Sequence, residues 1–309
     1  MKNYLPKTEQ KEKRVQIMFS SSARRYDLVN SVLSLGLHKR WKRFTVEQTG
    51  LSEGDSALDL CSGTNDIAIL LAQKVGKKGQ VFAVDFNQEM IEIGKYKVAK
   101  ANLNGRVTSQ VGNVEKLALP SDQFGAVTIG FGIRNVVNRE KALAEMYRVL
   151  KPGGRLVCLE FSVPPGKIFR NVYDFYSFRI LPYLGTWISK DSSGVYHYLP
   201  ASIRDFLTPP ELQKMMEKVG FGKVKFHYLS GGIVTVHVGQ KWSAEFDSTR
   251  KEPLSGLASP NPETNAHLKK PKTRDSRRQP KEFELKPIKV LLKRIHHGVT
   301  IRETPIAIR

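Results

Sequence analysis

From Ser56 to Phe161 the chain repeats one pattern: a short apolar run, a helical segment, then another apolar run. The runs are SALDL, QVFAVD, RVTSQV, FGAVTIG and GRLVCLEF. Segments 65–75, 87–101 and 139–149 between them carry apolar residues at helical spacing. Strands separated by helices pair in parallel through crossovers, with helices covering both faces of the sheet. Further helices are expected at 167–184 and 209–219. Two more β-rich runs follow, KVKFHYL and GIVTVHVGQ, joined at Gly231–Gly232. A glycine pair there predicts a tight hairpin, so the last strand should run antiparallel. The expected fold is α/β: a doubly wound, seven-stranded, mostly parallel sheet.

Residues 1–50 read as helical, with Val15, Met18 and Phe19, then Tyr26, Val29, Val32 and Leu33, recurring at spacings of three and four. We expect them to form an N-terminal lid on a main domain of residues 51–242. Beyond Trp242 the composition shifts. Residues 243–285 are rich in Pro, Ser, Asn, Lys and Arg and read as a disordered basic linker. The tail, 286–309, regains apolar residues but is too short to form its own core. Its Ile288, Val290, Leu291, Leu292 and Ile295, flanked by Lys286, Lys289, Lys293 and Arg294, suit an interfacial membrane helix. The trailing GVTIRETPIAIR alternates like a strand instead.

The 50 Lys and Arg outnumber the 29 Asp and Glu, for a net charge of +21. That excess calls for an anionic partner: nucleic acid, a membrane surface or an acidic ligand. Cys61 and Cys158 are too few for a disulfide framework or a zinc site, so no metal is expected, and both read as buried thiols in a reducing compartment. No apolar run approaches the roughly 18–20 residues of a membrane span. The polar N-terminus lacks the apolar core of a secretory signal, which predicts a cytoplasmic protein.

Three strand ends carry chemistry. In ALDLCSGTNDIA (57–68) a strand ends at Asp59, turns through Gly63 and enters a helix, the place where doubly wound folds hold their ligand. The dinucleotide fingerprint G-x-G-x-x-G is absent. In QVFAVDFNQEM, Asp85 ends the second strand about 20 residues later, placed to accept from two ribose hydroxyls; the alternative is a helix cap. In VGNVEKL, Asn113 offers a donor and an acceptor to an adenine edge and Val114 an apolar contact; the alternative is a turn residue. Together they describe an adenosine site without a phosphate cradle, which fits S-adenosyl-L-methionine. The Pro-Gly-Gly turn in RVLKPGGRL fits methyltransferases of this fold.

The segments ARRYDLVNSVLSLGLHKRWKR, LDLCSGTND, NVEKLALP, TIGFGIRNVVNREKALAEMYRVLKPGGRLVCLEFS, YDFYSFRILPYLG, YHYLPASIR and GGIVTVHVG resemble the quinone-biosynthesis C-methyltransferases. The resemblance runs from about Val15 to Trp242. It implies a class I S-adenosylmethionine-dependent fold and methylation of demethylmenaquinol or 2-methoxy-6-polyprenyl-benzoquinol. It also implies cofactor contacts by Thr64, Asp85, Asn113 with Val114, and Gly130, where relatives often have Ser. Relatives usually have Gly where this chain has Asn65; Asn tolerates positive φ, so the turn should survive.

Carbon methylation needs a ring made nucleophilic by loss of a phenolic proton. Unperturbed phenols titrate near pKa 10, so a fixed cation close to the oxygen eases that loss. We read Arg134, in the FGIRN after the fourth strand, as that cation and Asn135 as orienting the same oxygen. The alternative is that Arg134 pairs with a structural carboxylate such as Glu160. Tyr26 belongs either to a lid helix over the methyl donor or to the core. His38 and His197 are candidate proton carriers. A polyprenyl substrate lives in a bilayer, so an anionic membrane surface on the inner face of the cell membrane is the expected partner. In HKRWKR (38–43), Trp41 is either an interfacial anchor or turned inward. A homodimer is compatible with all of this. No nucleic-acid partner is expected, because GFGIRN stands where base N-methyltransferases carry a Pro-Pro-aromatic motif. The alternatives are a nucleic-acid methyltransferase, well behind for that reason, and a catalytically degenerate scaffold in a quinone-synthesis complex.

Overall fold

The computed structural model describes residues 4–6, 10–191 and 193–243. The expected linker and tail, 243–285 and 286–309, therefore lie outside the described residues, apart from Ser243. Seven strands form one sheet in the order β3-β2-β1-β4-β5-β7-β6. They are β1 (Ser56–Leu60), β2 (Gln80–Asp85), β3 (Val107–Val111), β4 (Phe124–Gly130), β5 (Leu150–Phe161), β6 (Gly222–Leu229) and β7 (Val234–Gln240). The first five run parallel, and β7 lies antiparallel between β5 and β6. Four residues connect Leu229 to its partner Val234, one pair longer than the tightest hairpin. Ser230, Gly231 and Gly232 turn the chain there with positive φ.

The strands are apolar on both faces because helices cover both. On one face Leu58, Leu60, Val127 and Ile129 pack with Leu143 and Met146 of α6 (Arg139–Val149) and Leu212 and Met216 of α10 (Pro209–Val219). On the other, Ala57, Val81 and Ala83 meet Ala68 and Leu71 of α4 (Asp66–Lys74) and Val98 of α5 (Gln88–Lys100). The chain runs outward from β1 to β3 and then returns beside β1 as β4. The carboxyl ends of β1 and β4 thus flank the switch point, where ligands bind in such sheets.

The N-terminal helices divide. α1 (Lys11–Ser22) and α2 (Tyr26–Leu33) form an apolar cluster with α8 (Leu181–Ser189) and α9 (Val195–Asp205), through Val15, Met18, Val29, Leu181 and Tyr198. α3 (Leu37–Glu47) instead lays Trp41 against Val157, Leu159 and Val236. Trp41 is 5% exposed and its indole N–H donates to Ser230 Oγ at 2.9 Å. It is turned inward, so the interfacial-anchor alternative falls: on this helix the basic residues and the indole point different ways. α9 was not foreseen, because Pro200 stands inside it and reads in sequence as a breaker. α7 (Lys167–Phe175) joins α8 through a π-helical turn, Tyr176–Ile180.

Candidate functional site

The loop after β1 is built from left-handed residues. Cys61, Gly63 and Asn65 have φ of 50°, 52° and 64°. Asn65 caps α4 in that conformation, fully buried, with its Nδ2 donating to Ser109 Oγ at 2.8 Å. The turn survives without the second glycine, as expected of Asn. A side chain on Gly63 would meet no atom within 4 Å, so one side of the loop is open to a close approach.

Asp85 ties this loop to β2. Its Oδ2 accepts from Gly63 N at 2.8 Å and its Oδ1 from Asn87 N at 2.9 Å. Burial pushes its carboxyl above the usual range, while those backbone donors pull it back. Asn87, two residues on, is the actual cap of α5, its side chain accepting from Met90 N. On β1, Asp59 Oδ1 accepts from Thr128 Oγ1 at 2.7 Å. Its Oδ2, like Ser62 Oγ, is buried without a hydrogen-bond partner among the described residues. Burial raises Asp59 to about 7, against Thr128, the Lys42 charge and the nearby Ala68 amide.

A small cleft of about 50 Å³ opens at the carboxyl ends of β1 to β4. Cys61, Phe86, Asn113, Val114 and Asn135 line it, and Glu12 and Val15 of α1 complete the wall. Val114 is buried, and Asn113 Oδ1 accepts from Glu115 N in a local turn. Asn135 Oδ1 accepts from Tyr198 Oη–H at 2.9 Å. Thr64, Asp85, Gly63, Asp59 and Gly130 do not line this cleft. A Cβ at Gly130 would come within 2.5 Å of Ile67 Cδ1, so a serine there requires that methyl to move.

Thr64 is engaged by the helices above it. Its hydroxyl donates to Asp27 Oδ1 of α2 at 2.7 Å, and Lys97 Nζ bonds Asp27, Thr64 and Asp66 together. Lys42 Nζ adds a 2.7 Å pair to Asp66 Oδ2. Burial alone would raise Asp66; Lys42 and Lys97 overcome it and hold the carboxyl at about 2, below its ordinary 3.8. A depressed carboxylate stabilises fully above its unfolded value and loses that contribution as pH falls toward 2. Asp66→Asn should therefore cost about 2 kcal/mol at pH 6 and almost nothing near pH 2. Urea titrations of both proteins at the two pH values check this; an equal gap at both excludes the ion pairs as its source.

Arg134 sits on a 3₁₀ turn, Ile133–Asn135, directly after β4. It is 5% exposed, and its Nη1 donates to Glu160 Oε1 at 2.8 Å and to Phe131 O. Its backbone N–H reaches Glu160 Oε2, and its guanidinium lies 5.5 Å from the Phe161 ring centre. The pairing with Glu160, weighed above as the alternative, is thus present. Arg134 Nε remains buried without a partner among the described residues. Its charge opposes the burial that lifts three phenols, Tyr26 to about 12, Tyr173 to about 12, and Tyr198. Tyr26 opens α2, next to the Asp27 that holds Thr64. His38, pushed by burial and Lys42 to about 4, bonds Ser34, and His197 stacks on Tyr4; neither lies among the cleft residues.

Sequence reading missed Phe86 and Tyr198, and it took Cys61 for a buried thiol, whereas the residue is partly exposed and lines the cleft. An apolar residue directly after Asp85 was a readable signal for Phe86; Tyr198 depends on long-range packing. Among the described residues no three His, Cys, Asp or Glu gather as a metal site, and no helix is long and apolar enough to cross a membrane.

This sheet with its cleft at the switch point is the fold of class I S-adenosylmethionine-dependent methyltransferases. A Thermotoga maritima SAM-dependent methyltransferase matches it with a TM-score of 0.50 at 21% identity, covering 72% of this chain and 98% of that one. The [4+2]-cyclase SpnF matches with 0.51 at 16%, covering 66% and 80%; at such identities the likeness is of fold alone. Residues 7–241 match the model of the ubiE/COQ5 methyltransferase family. Two curated relatives, from Marinomonas sp. (strain MWYL1) and Francisella tularensis subsp. novicida (strain U112), are each 44% identical over 76% of this chain and 93% of their own length. Both are named ubiquinone/menaquinone biosynthesis C-methyltransferase UbiE. The chain belongs to the ubiE/COQ5 methyltransferase family.

Proposed function

We propose that this chain transfers a methyl group from S-adenosylmethionine to a ring carbon of a polyprenyl quinol, of the menaquinone or ubiquinone type, at a membrane surface. The observation that carries the reading is the 44% identity to relatives of that named activity over 93% of their length. The site's donors and acceptors suit the cofactor. Asp85 uses one lone pair of each oxygen on backbone N–H groups, which leaves one on each for the ribose hydroxyls. Asn113, Val114 and Phe86 would face the adenine. Asp59 Oδ2 and Ser62 Oγ, both unpartnered, would meet the amino-acid end, and the open side of Gly63 admits the ligand to the loop. When bound, the cofactor supplies a methyl group on a sulfonium, ready for attack by a carbon nucleophile.

The protein's part is to hold the ring and ease the loss of its phenolic proton. Glu160 fixes the Arg134 fork, and Nε keeps one donor for a substrate oxygen. Tyr26, Tyr173 and Tyr198 already feel the Arg134 charge as a force favouring their ionised forms. A substrate phenol among them would feel the same field. Asn135, held by the Tyr198 hydroxyl, is placed to orient that oxygen.

The test supplies the full chain with methyl-labelled S-adenosylmethionine and, separately, demethylmenaquinol and 2-methoxy-6-polyprenyl-benzoquinol. Label in the ring of at least one is expected. Cofactor binding by calorimetry with no labelled product from either quinol would instead leave a scaffold.

A further inference from the structure

The helix α7 is inside out. Two of its polar residues are engaged within the protein, while Lys167 and Asn171 are exposed: Asp174 pairs with Arg204 of α9, and Arg170 bonds the carbonyls of Pro164 and Pro165. Its apolar residues face away. Ile168, Val172 and Phe175 are 85%, 61% and 59% exposed, and no residue of α7 is buried. At i, i+4 and i+7 they form one stripe. The neighbouring α8 repeats the arrangement, with Tyr183 and Trp187 one turn apart and 74% and 77% exposed. Leu35, at the tip after α2, is 88% exposed, and α2 packs against α8. Ten of the sixteen large apolar side chains exposed among the described residues belong to α2 with its C-terminal tip or to residues 168–187. A monomer in water rarely leaves such a face uncovered.

Charge distinguishes the possible occupants. Exposed Lys167, Arg179 and Lys190 flank the stripe, Asp174, the acid of α7, is committed to Arg204, and Asp27 of α2 to Lys97. A second copy of this chain seated on the same face would bring cation against cation. An anionic bilayer complements the basic rim electrostatically and the stripe by its hydrocarbon, and tryptophan and tyrosine favour that boundary. The face also adjoins the candidate site: Tyr173 of α7 responds to Arg134, and α9 carries both Arg204 and the Tyr198 that holds Asn135.

From these observations we infer that the outward faces of α7 and α8 are the surface by which the protein lies on an anionic lipid bilayer. This rests on the polyprenyl substrate proposed above, and it assigns the docking role to α7 and α8 in place of Trp41.

The experiment uses the full chain and vesicles of phosphatidylcholine with or without phosphatidylglycerol. Binding should require the anionic lipid, and the Trp187 emission should shift to the blue on binding. I168E/V172E should weaken partitioning by about tenfold or more, and Trp187→Phe should remove the shift while binding persists. Circular dichroism and cofactor affinity of both variants should match the parent, since none of these residues touches the cleft. Undiminished vesicle binding by I168E/V172E, or no change in Trp187 emission on binding, overturns the proposal. So does a concentration-dependent dimer, in sedimentation without lipid, that I168E/V172E disperses. Methylation of a short-chain, water-soluble quinol by the same variants separates the two readings. If the parent methylates no quinol yet binds vesicles through this face, the proposed reaction fails and the docking surface stands.

Discussion

Glu160→Gln is expected to destabilise the folded chain by about 3–5 kcal/mol, because it strands a buried guanidinium. Glu160 is fully buried and accepts from the Arg134 side chain, the Arg134 backbone and Phe161 N, so one change uncouples the whole turn after β4. Chemical unfolding measures the loss. The double variant Arg134→Met/Glu160→Leu should recover much of it, since an apolar pair of similar volume is often no worse than a buried ion pair. Turnover is the informative readout. If the double variant folds but stays slow, Arg134 acts in the reaction; if turnover returns with stability, the arginine serves only the fold. In a catalytic role, its rate deficit should also shrink as pH rises, because the substrate phenol then ionises unaided.

Asp85→Ala should weaken S-adenosylmethionine binding by at least about 2 kcal/mol, roughly thirtyfold in Kd. Two charge-assisted acceptors for the ribose are lost, and Gly63 N and Asn87 N lose their shared partner. Asp85→Asn probes the second effect. An amide can accept from one backbone N–H but must turn its NH₂ toward the other, so the loop should loosen although the shape is kept. Calorimetry on the folded variants decides; affinity unchanged in Asp85→Ala removes this residue from the site.

The sheet was legible because the strands are runs rich in apolar residues, three of them closed by Asp85, Gly112 and Gly130, and because alternation with helices leaves few topologies. Asn65 was legible for a local reason, its tolerance of the left-handed turn that the loop requires. What stayed hidden depends on register. Glu160 meets Arg134 because β4 and β5 pair with Gly130 opposite Leu159, which brings together residues 26 positions apart. Sequence offered both the catalytic and the paired reading of that arginine and could not rank them by geometry. Trp41 stayed open between two readings in sequence, since helical phase, not adjacency to basic residues, sets which way a side chain points. The inverted polarity of α7 was hidden too: its periodicity is that of an ordinary amphipathic helix, and only the partners of Arg170 and Asp174 show which side faces the protein.

The N-terminal helices α1 and α2 are fastened to the loops that follow the strands. Asp27 holds the Thr64 hydroxyl, and Lys11 Nζ donates to the carbonyls of Arg134 and Val136 at 2.9 and 3.2 Å. A cofactor that used Thr64, as the family resemblance implies, would compete with the Asp27 contact before it settled. Association then becomes a two-stage event, with unfastening ahead of capture. In stopped flow, the observed rate should level off at high cofactor concentration at a ceiling set by that unfastening, and Asp27→Ala should lift that ceiling.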